Sequence, residues 1–420
     1  MKKSIKIIVT GLLLTFTALS FISCGHEPVF YGIMHDVAPE TATVSGNISS
    51  VVRATINSEE YLILSNGGGL YYKPLSSSTH GEWKTDNIKF KFSFHHYNYF
   101  ATGSESDGHH GQQILRVVAD QDNLYLLTAD FKQDDQYGVV LPNIIYLWTC
   151  SLDSLLTNSD AIWTNLAEGS SLFPTSFNSS TSQLQTDFNL FFTNSVKAEH
   201  RKAILSVTDS EADTVAYYAL NGSAAPVSES CSNKVQIYDQ SKKLNSAFYI
   251  GSTLYFSDAL AVTTNETSLA DATFAVIAGV NKNSNKKFDL YTYKGSGDPE
   301  SFVEIGSPIA SLAYTGDSIL IGKGSYSETY TSNGGIEHVL LDESGLPQKE
   351  TAAFDNNAQY QFTSSYIVMS LLCADPVKKE AEANLYATIS YRGSNSSSTA
   401  TFKDIGLWSY YPARGNWNRE

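Results

Sequence analysis

Apolar runs of about four residues, each set off by polar turns, recur along this chain at a nearly constant interval. Tyr61-Leu62-Ile63-Leu64 is followed by Leu124-Tyr125-Leu126-Leu127, Leu190-Phe191-Phe192-Thr193, Leu254-Tyr255-Phe256-Ser257, Ile319-Leu320-Ile321-Gly322 and Leu385-Tyr386-Ala387-Thr388. With Leu62, Leu124, Leu190, Leu254, Ile319 and Leu385 as anchors, the spacing stays between 62 and 66 residues. Short runs rich in β-branched and aromatic residues predict strands rather than helices. A spacing this regular predicts one structural unit used several times.

Most anchors follow a polar turn, as in Asp120-Gln121-Asp122-Asn123, Gly251-Ser252-Thr253 and Thr315-Gly316-Asp317-Ser318, and before the turn lies a second apolar run. Val51 to Ala54, Ile114 to Val118, Ala247 to Ile250, Ile309 to Ala313 and Tyr366 to Met369 are such runs, so each pair predicts a hairpin. A third strand follows at Gly69 to Tyr72, Ile145 to Trp148, Val215 to Tyr218, Asp289 to Tyr293, Gly335 to Leu340 and Gly406 to Tyr410. Trp83, Trp163, Val303 and Trp417 mark a fourth. Four antiparallel strands per repeated unit describe the blades of a β-propeller, an all-β fold. Six anchors favour six blades. The rival is a ring of seven, with additional strands in Lys89 to Phe100. The longest loops are expected at Ala129 to Val139, Asp258 to Asn285 and Asn87 to Gln113, at the mouths of the ring where ligand sites are built. Residues 28–50 either add a strand that closes the ring or run along its outside, while the last unit carries its own fourth strand at Asn416-Trp417-Asn418.

Composition agrees with strands joined by polar turns: 25 Tyr and 21 Phe stand beside only 17% charged residues. The formal charge is −15. General charge attraction to nucleic acid or an anionic membrane face is therefore not expected. Cys150 and Cys373 each end an apolar run and read as buried strand residues acting as small hydrophobes. With Cys231 they make an odd number, and no CxxC pair or Cys/His zinc spacing is present.

The N-terminus has a different pattern. Lys2, Lys3 and Lys6 precede an apolar stretch from Ile7 to Ile22, closed by Ser23-Cys24. The stretch is short for a spanning anchor, and the order of features is that of an export signal. It resembles the signal of bacterial lipoproteins, in which a peptidase cuts before the cysteine and acyl chains such as palmitate are attached to it. This implies a signal peptide over 1–23, a lipidated N-terminus and lead-in over 24–50 with Cys24 as the lipid attachment residue, and a single propeller domain over 51–420. Loss of Lys2, Lys3 and Lys6 moves the formal charge to about −18, so attachment to the bilayer would rest on lipid. Together with the entry from Val44 to Val52 and the repeated Gly-Leu-Tyr type strands, Phe21-Ile22-Ser23-Cys24 makes the chain similar to treponeme-like β-propeller lipoproteins. The resemblance implies fold and anchoring in the bacterial cell envelope, periplasmic or surface-exposed, and no particular activity.

Candidate chemistry is sparse. His95, His96, Asp107, His109 and His110 form the densest cluster of groups able to hold a transition metal, since neutral imidazole suits zinc, copper or nickel. Adjacent histidines on a strand point to opposite faces, so a solvated polar loop is the competing reading. The runs Asp120 to Asn123, Asp130 to Asp135 and Asn281 to Asn285 offer oxygens to calcium, but none has the spacing of a glycine-containing loop closed by glutamate, and turn chemistry accounts for them. No cofactor is expected beyond these two options. Tyr97, Tyr99, Phe100 and Tyr137 are loop aromatics able to stack on sugars or anchor a protein, whereas Tyr125, Tyr255 and Tyr386 are expected between blades. No Gly-x-Ser-x-Gly, P-loop or dinucleotide-binding pattern occurs. The leading functional expectation is a non-enzymatic binding or scaffold module for envelope proteins or glycans. The alternatives are a glycoside hydrolase or lyase acting on envelope carbohydrate, whose paired carboxylates would meet only in space, and a metal-binding lipoprotein.

Overall fold

A computed structural model describes Val44, Ile48 and residues 51–77, 80–85, 88, 112–133, 140–157, 163–169, 172–173, 177–178, 183–184, 186–192, 201–209, 214–229, 246–250, 253–257, 260–263, 274–281, 287–293, 300–324, 334–343, 346–354, 366–391 and 406–420. Among these residues the protein is almost entirely β, built of consecutive antiparallel meanders. The first sheet holds β1 (Val51–Ile56), β2 (Glu59–Ser65) and β3 (Leu70–Pro74), and a bridge from Tyr72 to Lys84 continues it outward. The second holds β4 (Gln113–Ala119), β5 (Asn123–Gln133), β6 (Val140–Ser151) and β7 (Thr164–Glu168), with the short helix α1 (Leu152–Leu155) after β6. A small pair, β8 (Phe177–Asn178) and β9 (Gln183–Leu184), precedes the third sheet of β10 (Thr186–Phe192), β11 (Ala203–Asp209), β12 (Thr214–Leu220) and β13 (Val227–Glu229). The fourth is a hairpin of β14 (Ser246–Ile250) and β15 (Thr253–Ser257). The fifth contains β16 (Leu260–Thr263), β17 (Phe274–Asn281), β18 (Lys287–Tyr293) and β19 (Glu300–Glu304). The sixth contains β20 (Ile309–Tyr314), β21 (Ser318–Lys323), β22 (Gly335–Leu340) and β23 (Ala352–Ala353), and the seventh β24 (Tyr366–Cys373), β25 (Leu385–Tyr391), β26 (Gly406–Tyr411) and β27 (Asn416–Arg419).

The recurring apolar run has a physical cause. A strand side chain alternates between faces, so a strand apolar at every position must be covered on both. On β5, Leu124 and Leu126 pack toward the first sheet while Tyr125, Leu127 and Ala129 pack toward the third. On β21, Ile319 and Ile321 meet the fifth sheet and Leu320 the seventh. Leu385, Ala387 and Ile389 of β25 meet the sixth sheet, while Tyr386 meets the first. The first strands of successive sheets lie side by side, β1 by β4, β4 by β10, β10 by β14, β14 by β16, β16 by β20 and β20 by β24.

The succession closes on itself. Leu62 and Leu64 of β2 pack with Trp83, Ala374, Tyr386 and Leu407, so the seventh sheet lies against the first. Val44 and Ile48 join this core, and the Val44 N–H donates to the Glu420 carbonyl at 3.2 Å. Radially packed meanders with the last against the first make the arrangement propeller-like.

Three expectations need correction. Leu190 falls in β10, the first strand of its sheet, instead of the second; the second is Ala203–Asp209, and an apolar run by itself does not distinguish an inner strand from its neighbour. The loop expected from Asp258 to Asn285 contains β16 and β17, whose strand-length run from Phe274 to Val280 lies between two anchors. The loop expected from Ala129 to Val139 is shorter, because β5 continues to Gln133. Polar residues at the end of β5 are tolerated because the pairing of Phe131, Lys132 and Gln133 with Pro142, Leu141 and Val140 is a matter of backbone. The segment from Lys89 to Phe100 lies outside the described residues.

Candidate functional site

None of the candidate side chains named from sequence falls within the described residues: Cys24, His95, His96, Tyr97, Tyr99, Phe100, Asp107, His109, His110 and Tyr137 all lie outside them. Among the described residues, no three His, Cys, Asp or Glu side chains converge as metal ligands. Tyr125 and Tyr386 are buried between sheets as expected; the Tyr255 side chain lies outside the described set. Cys150 and Cys373 are buried free thiols. Burial raises both, Cys373 to about 12, so they behave as small hydrophobes.

The densest polar site joins the first sheet to the seventh. Lys73 on β3 and Glu420, just beyond β27, are both fully buried, and the ammonium donates to Glu420 Oε2 at 2.9 Å and to the Tyr411 hydroxyl at 2.7 Å. Tyr411 in turn donates to Glu420 Oε1 at 2.9 Å. The Trp83 indole donates to Oε2 at 2.6 Å and the Gly81 N–H at 3.2 Å. Ser409 also donates to Glu420, and its hydroxyl lies 2.7 Å from His80 Nδ1. Around the ammonium stand the rings of Trp83, Tyr386 and Tyr411, at 5.6, 5.8 and 5.4 Å. Burial alone would raise the Glu420 carboxyl. The hydrogen bond from His80, the Lys73 charge and the Ser409 hydroxyl outweigh it and hold the group at about 2. The carboxylate is therefore ionised and saturated with donors. With no face open to solvent, this cluster fastens the closure and has no room for a ligand.

A second polar cluster fastens the sixth sheet to the seventh. Glu380, between β24 and β25, accepts from Ser318 at 2.6 Å and lies 2.7 Å from His338 Nδ1 on β22. Its N–H donates to Asp317 at 2.7 Å, and the Gly316 N–H donates to the Lys378 carbonyl at 2.8 Å. The carboxylate sits between serine and histidine, so histidine cannot relay a proton from the serine and the trio is no catalytic triad. The hydrogen bond to Glu380 raises the His338 imidazole above its ordinary range, against burial. A raised folded-state value stabilises the fold below the unfolded value of about 6.5, and that contribution is lost as pH rises through the folded one. Melting curves of wild type and His338→Gln between about pH 5 and 9 should show the wild-type advantage shrinking as pH rises; a gap that widens with pH would contradict the pairing.

Asp120 illustrates the turn chemistry. Its Oδ1 accepts the N–H groups of Asp122 and Asn123 at 2.9 and 2.7 Å, and its Oδ2 accepts the Tyr125 hydroxyl at 2.7 Å. The Tyr125 hydroxyl in turn accepts the Gly222 N–H at 2.7 Å, tying the second sheet to the third.

Contacts between turns distinguish the two ends of the fold. Turns joining first to second strands meet at one end, where Arg201 before β11 reaches Thr55 at the close of β1 and Gly316 meets Lys378. At the other end, the Gly67 carbonyl accepts the N–H of Ile114 as β4 begins, and Gly324 lies against Ile367 where β24 begins. Links between second and third strands, and from one sheet to the next, depart from that second end. The residues flanking 89–111, 134–139, 325–333 and 392–405 stand there.

No family model matches the chain, and no curated protein does. Solved structures with some likeness include a Thermus thermophilus protein described as an oxidoreductase (glucose dehydrogenase), at 9% identity and TM-score 0.39, covering 87% of this chain and 97% of that one. The C-terminal domain of a bacteriophage phiKZ protein matches at 9% identity and TM-score 0.25, over 80% and 76% of the two chains. A protein described as a gluconolactonase matches at 8% identity and TM-score 0.23, over 75% and 95%. At TM-scores below 0.5 these likenesses assign no activity to this chain.

Proposed function

We propose that the protein is a membrane-anchored envelope lipoprotein whose β-propeller is a binding or scaffold module, with an acylated Cys24 as tether and protein or glycan partners taken at the loop-bearing end. The observation that carries this reading is the closed succession of sheets, with the residues that flank 89–111, 134–139, 325–333 and 392–405 gathered at one end. A closed ring of radially packed sheets leaves only short outer edges and holds variable loops on a rigid base. Counting the two-stranded hairpin of β14 and β15 as a reduced unit, the ring has seven blades. The neighbouring first strands, seven in all, support that count over six.

Two outcomes are expected. Cys24→Ser should move the protein from the membrane to the soluble fraction of cells; continued metabolic labelling of that variant with a radioactive fatty acid would overturn the anchor. Replacing residues 89–111, beyond the buried Ile88, by a short Gly-Ser linker should leave the melting temperature nearly unchanged and remove the protein's in-cell crosslinks to its neighbours. Unchanged crosslinks would place partner binding elsewhere.

A further inference from the structure

Every joint between neighbouring sheets but one is spanned by chain that leaves one sheet and enters the next, as in the four residues between β19 and β20. No covalent link runs from β27 of the seventh sheet to β1 of the first. Val44 and Ile48 stand in its place. The Val44 N–H donates to the carbonyl of Glu420, just beyond β27, and six residues after Val44 the chain enters β1 at Val51. Val44 is 2% exposed and Ile48 5%, and both pack in the core that joins Leu62 and Leu64 of the first sheet to Ala374, Tyr386 and Leu407 of the seventh. Two apolar side chains withdrawn from water hold the segment down, and the backbone hydrogen bond fixes where it sits.

Glu420 is where this segment meets the buried ion pair. Its N–H donates to the Leu407 carbonyl at 3.0 Å, its own carbonyl accepts from Val44 at 3.2 Å, and its carboxylate is the partner of Lys73. Withdrawing Val44 takes a donor from the carbonyl of a fully buried residue and uncovers the apolar side chains on both sides of the joint. A buried carbonyl that loses its donor is costly, so the placement of Glu420, and with it the ion pair, depends on the segment that precedes β1.

We propose that residues 44–50 are a clasp that couples the chain ahead of the ring to the closure of the ring. Seated, the clasp holds the first sheet against the seventh. Drawn out, by a cut or by a pull on the chain that precedes it, it lets this one joint open while the covalently linked joints stay packed. A cut in the lead-in therefore has two different outcomes: ahead of Val44 it frees a closed ring, and between Ile48 and Val51 it frees a ring that opens at its seam. The pull rests on the proposed anchor at Cys24, whereas the clasp itself does not.

Full-length protein in detergent, carrying a site-specific protease sequence either between Ala42 and Thr43 or between Ser49 and Ser50, tests the clasp by hydrogen exchange before and after cutting. The first cut should leave amide protection unchanged. The second separates 44–49 from the ring, and two side chains with one backbone hydrogen bond are too little to keep a separate peptide bound in dilute solution. Amides of 59–65 and 406–420 should then exchange about tenfold faster or more, with 123–129 unchanged. Val44→Asp opens the same seam with neither insertion nor cut, and it decides the matter if an insertion prevents folding. Val377→Asp, at a position 46% exposed, is its control and should leave protection as in wild type. Equal protection after the two cuts, wild-type protection at the seam in Val44→Asp, or a loss in 123–129 as large as that at the seam would each overturn the clasp. The first cut made on cell membranes tests the anchor separately: a ring that stays on the membrane would refute the tether and leave the clasp untouched.

Discussion

Glu420→Gln should lower the free energy of unfolding by about 3–5 kcal/mol, because it leaves the Lys73 ammonium fully buried without a counter-charge. Glutamine keeps one acceptor oxygen, so it can serve the donors on one side of the carboxylate, Trp83 or Tyr411, while its NH2 faces the other, and the loss reports the missing charge together with one missing acceptor. Lys73→Met combined with Glu420→Gln should recover much of the deficit, since removing both charges leaves no buried ion to solvate. Denaturant unfolding of the two single variants and the double gives the coupling directly. The acid limb carries its own sign. A carboxyl held at about 2 stabilises the fold above the unfolded value of about 4.3 and loses that contribution only as pH falls through its folded value. Wild type should therefore outlast Glu420→Gln most clearly above about pH 4, with the gap narrowing toward pH 2.

Trp408→Ala should cost about 3–5 kcal/mol. Trp408 is fully buried on β26 and fills the interface of the sixth and seventh sheets with Leu320, Val368 and Ala387. Its chain neighbour Leu407 points the opposite way, into the closure with Leu62 and Leu64. Alanine would leave a cavity that neither sheet can close without losing its other neighbour. Leu340→Ala, at a position 43% exposed on β22, is the control and should change stability by no more than about 0.5 kcal/mol. Melting curves of both variants decide the point.

The repeated unit is legible in sequence because burial on both faces demands apolar residues at consecutive positions. That signal marks strands well, but it does not say which strand of a meander it marks. Leu62, Leu124, Ile319 and Leu385 occupy second strands of large sheets and Leu254 that of a hairpin, while Leu190 occupies a first strand. The fifth sheet escapes the pattern because its second strand falls between two evenly spaced anchors. The closing cluster leaves no trace in sequence. Lys73 and Glu420 stand 347 positions apart, and each looks like an ordinary surface charge until the seventh sheet meets the first. The same holds for Arg201 and Glu60, separated by 141 positions. Cys150 and Cys373, by contrast, are legible as core because each ends its own apolar strand.

Hydrogen exchange on the full-length protein and on Glu420→Gln tests the closed ring most directly. The closure predicts that the variant loses amide protection together in 51–65 and 406–420, the two sides of the joint, while 123–129 in the second sheet keeps its protection. Loss confined to 406–420, with 51–65 unchanged, would contradict a ring fastened between its first and last sheets.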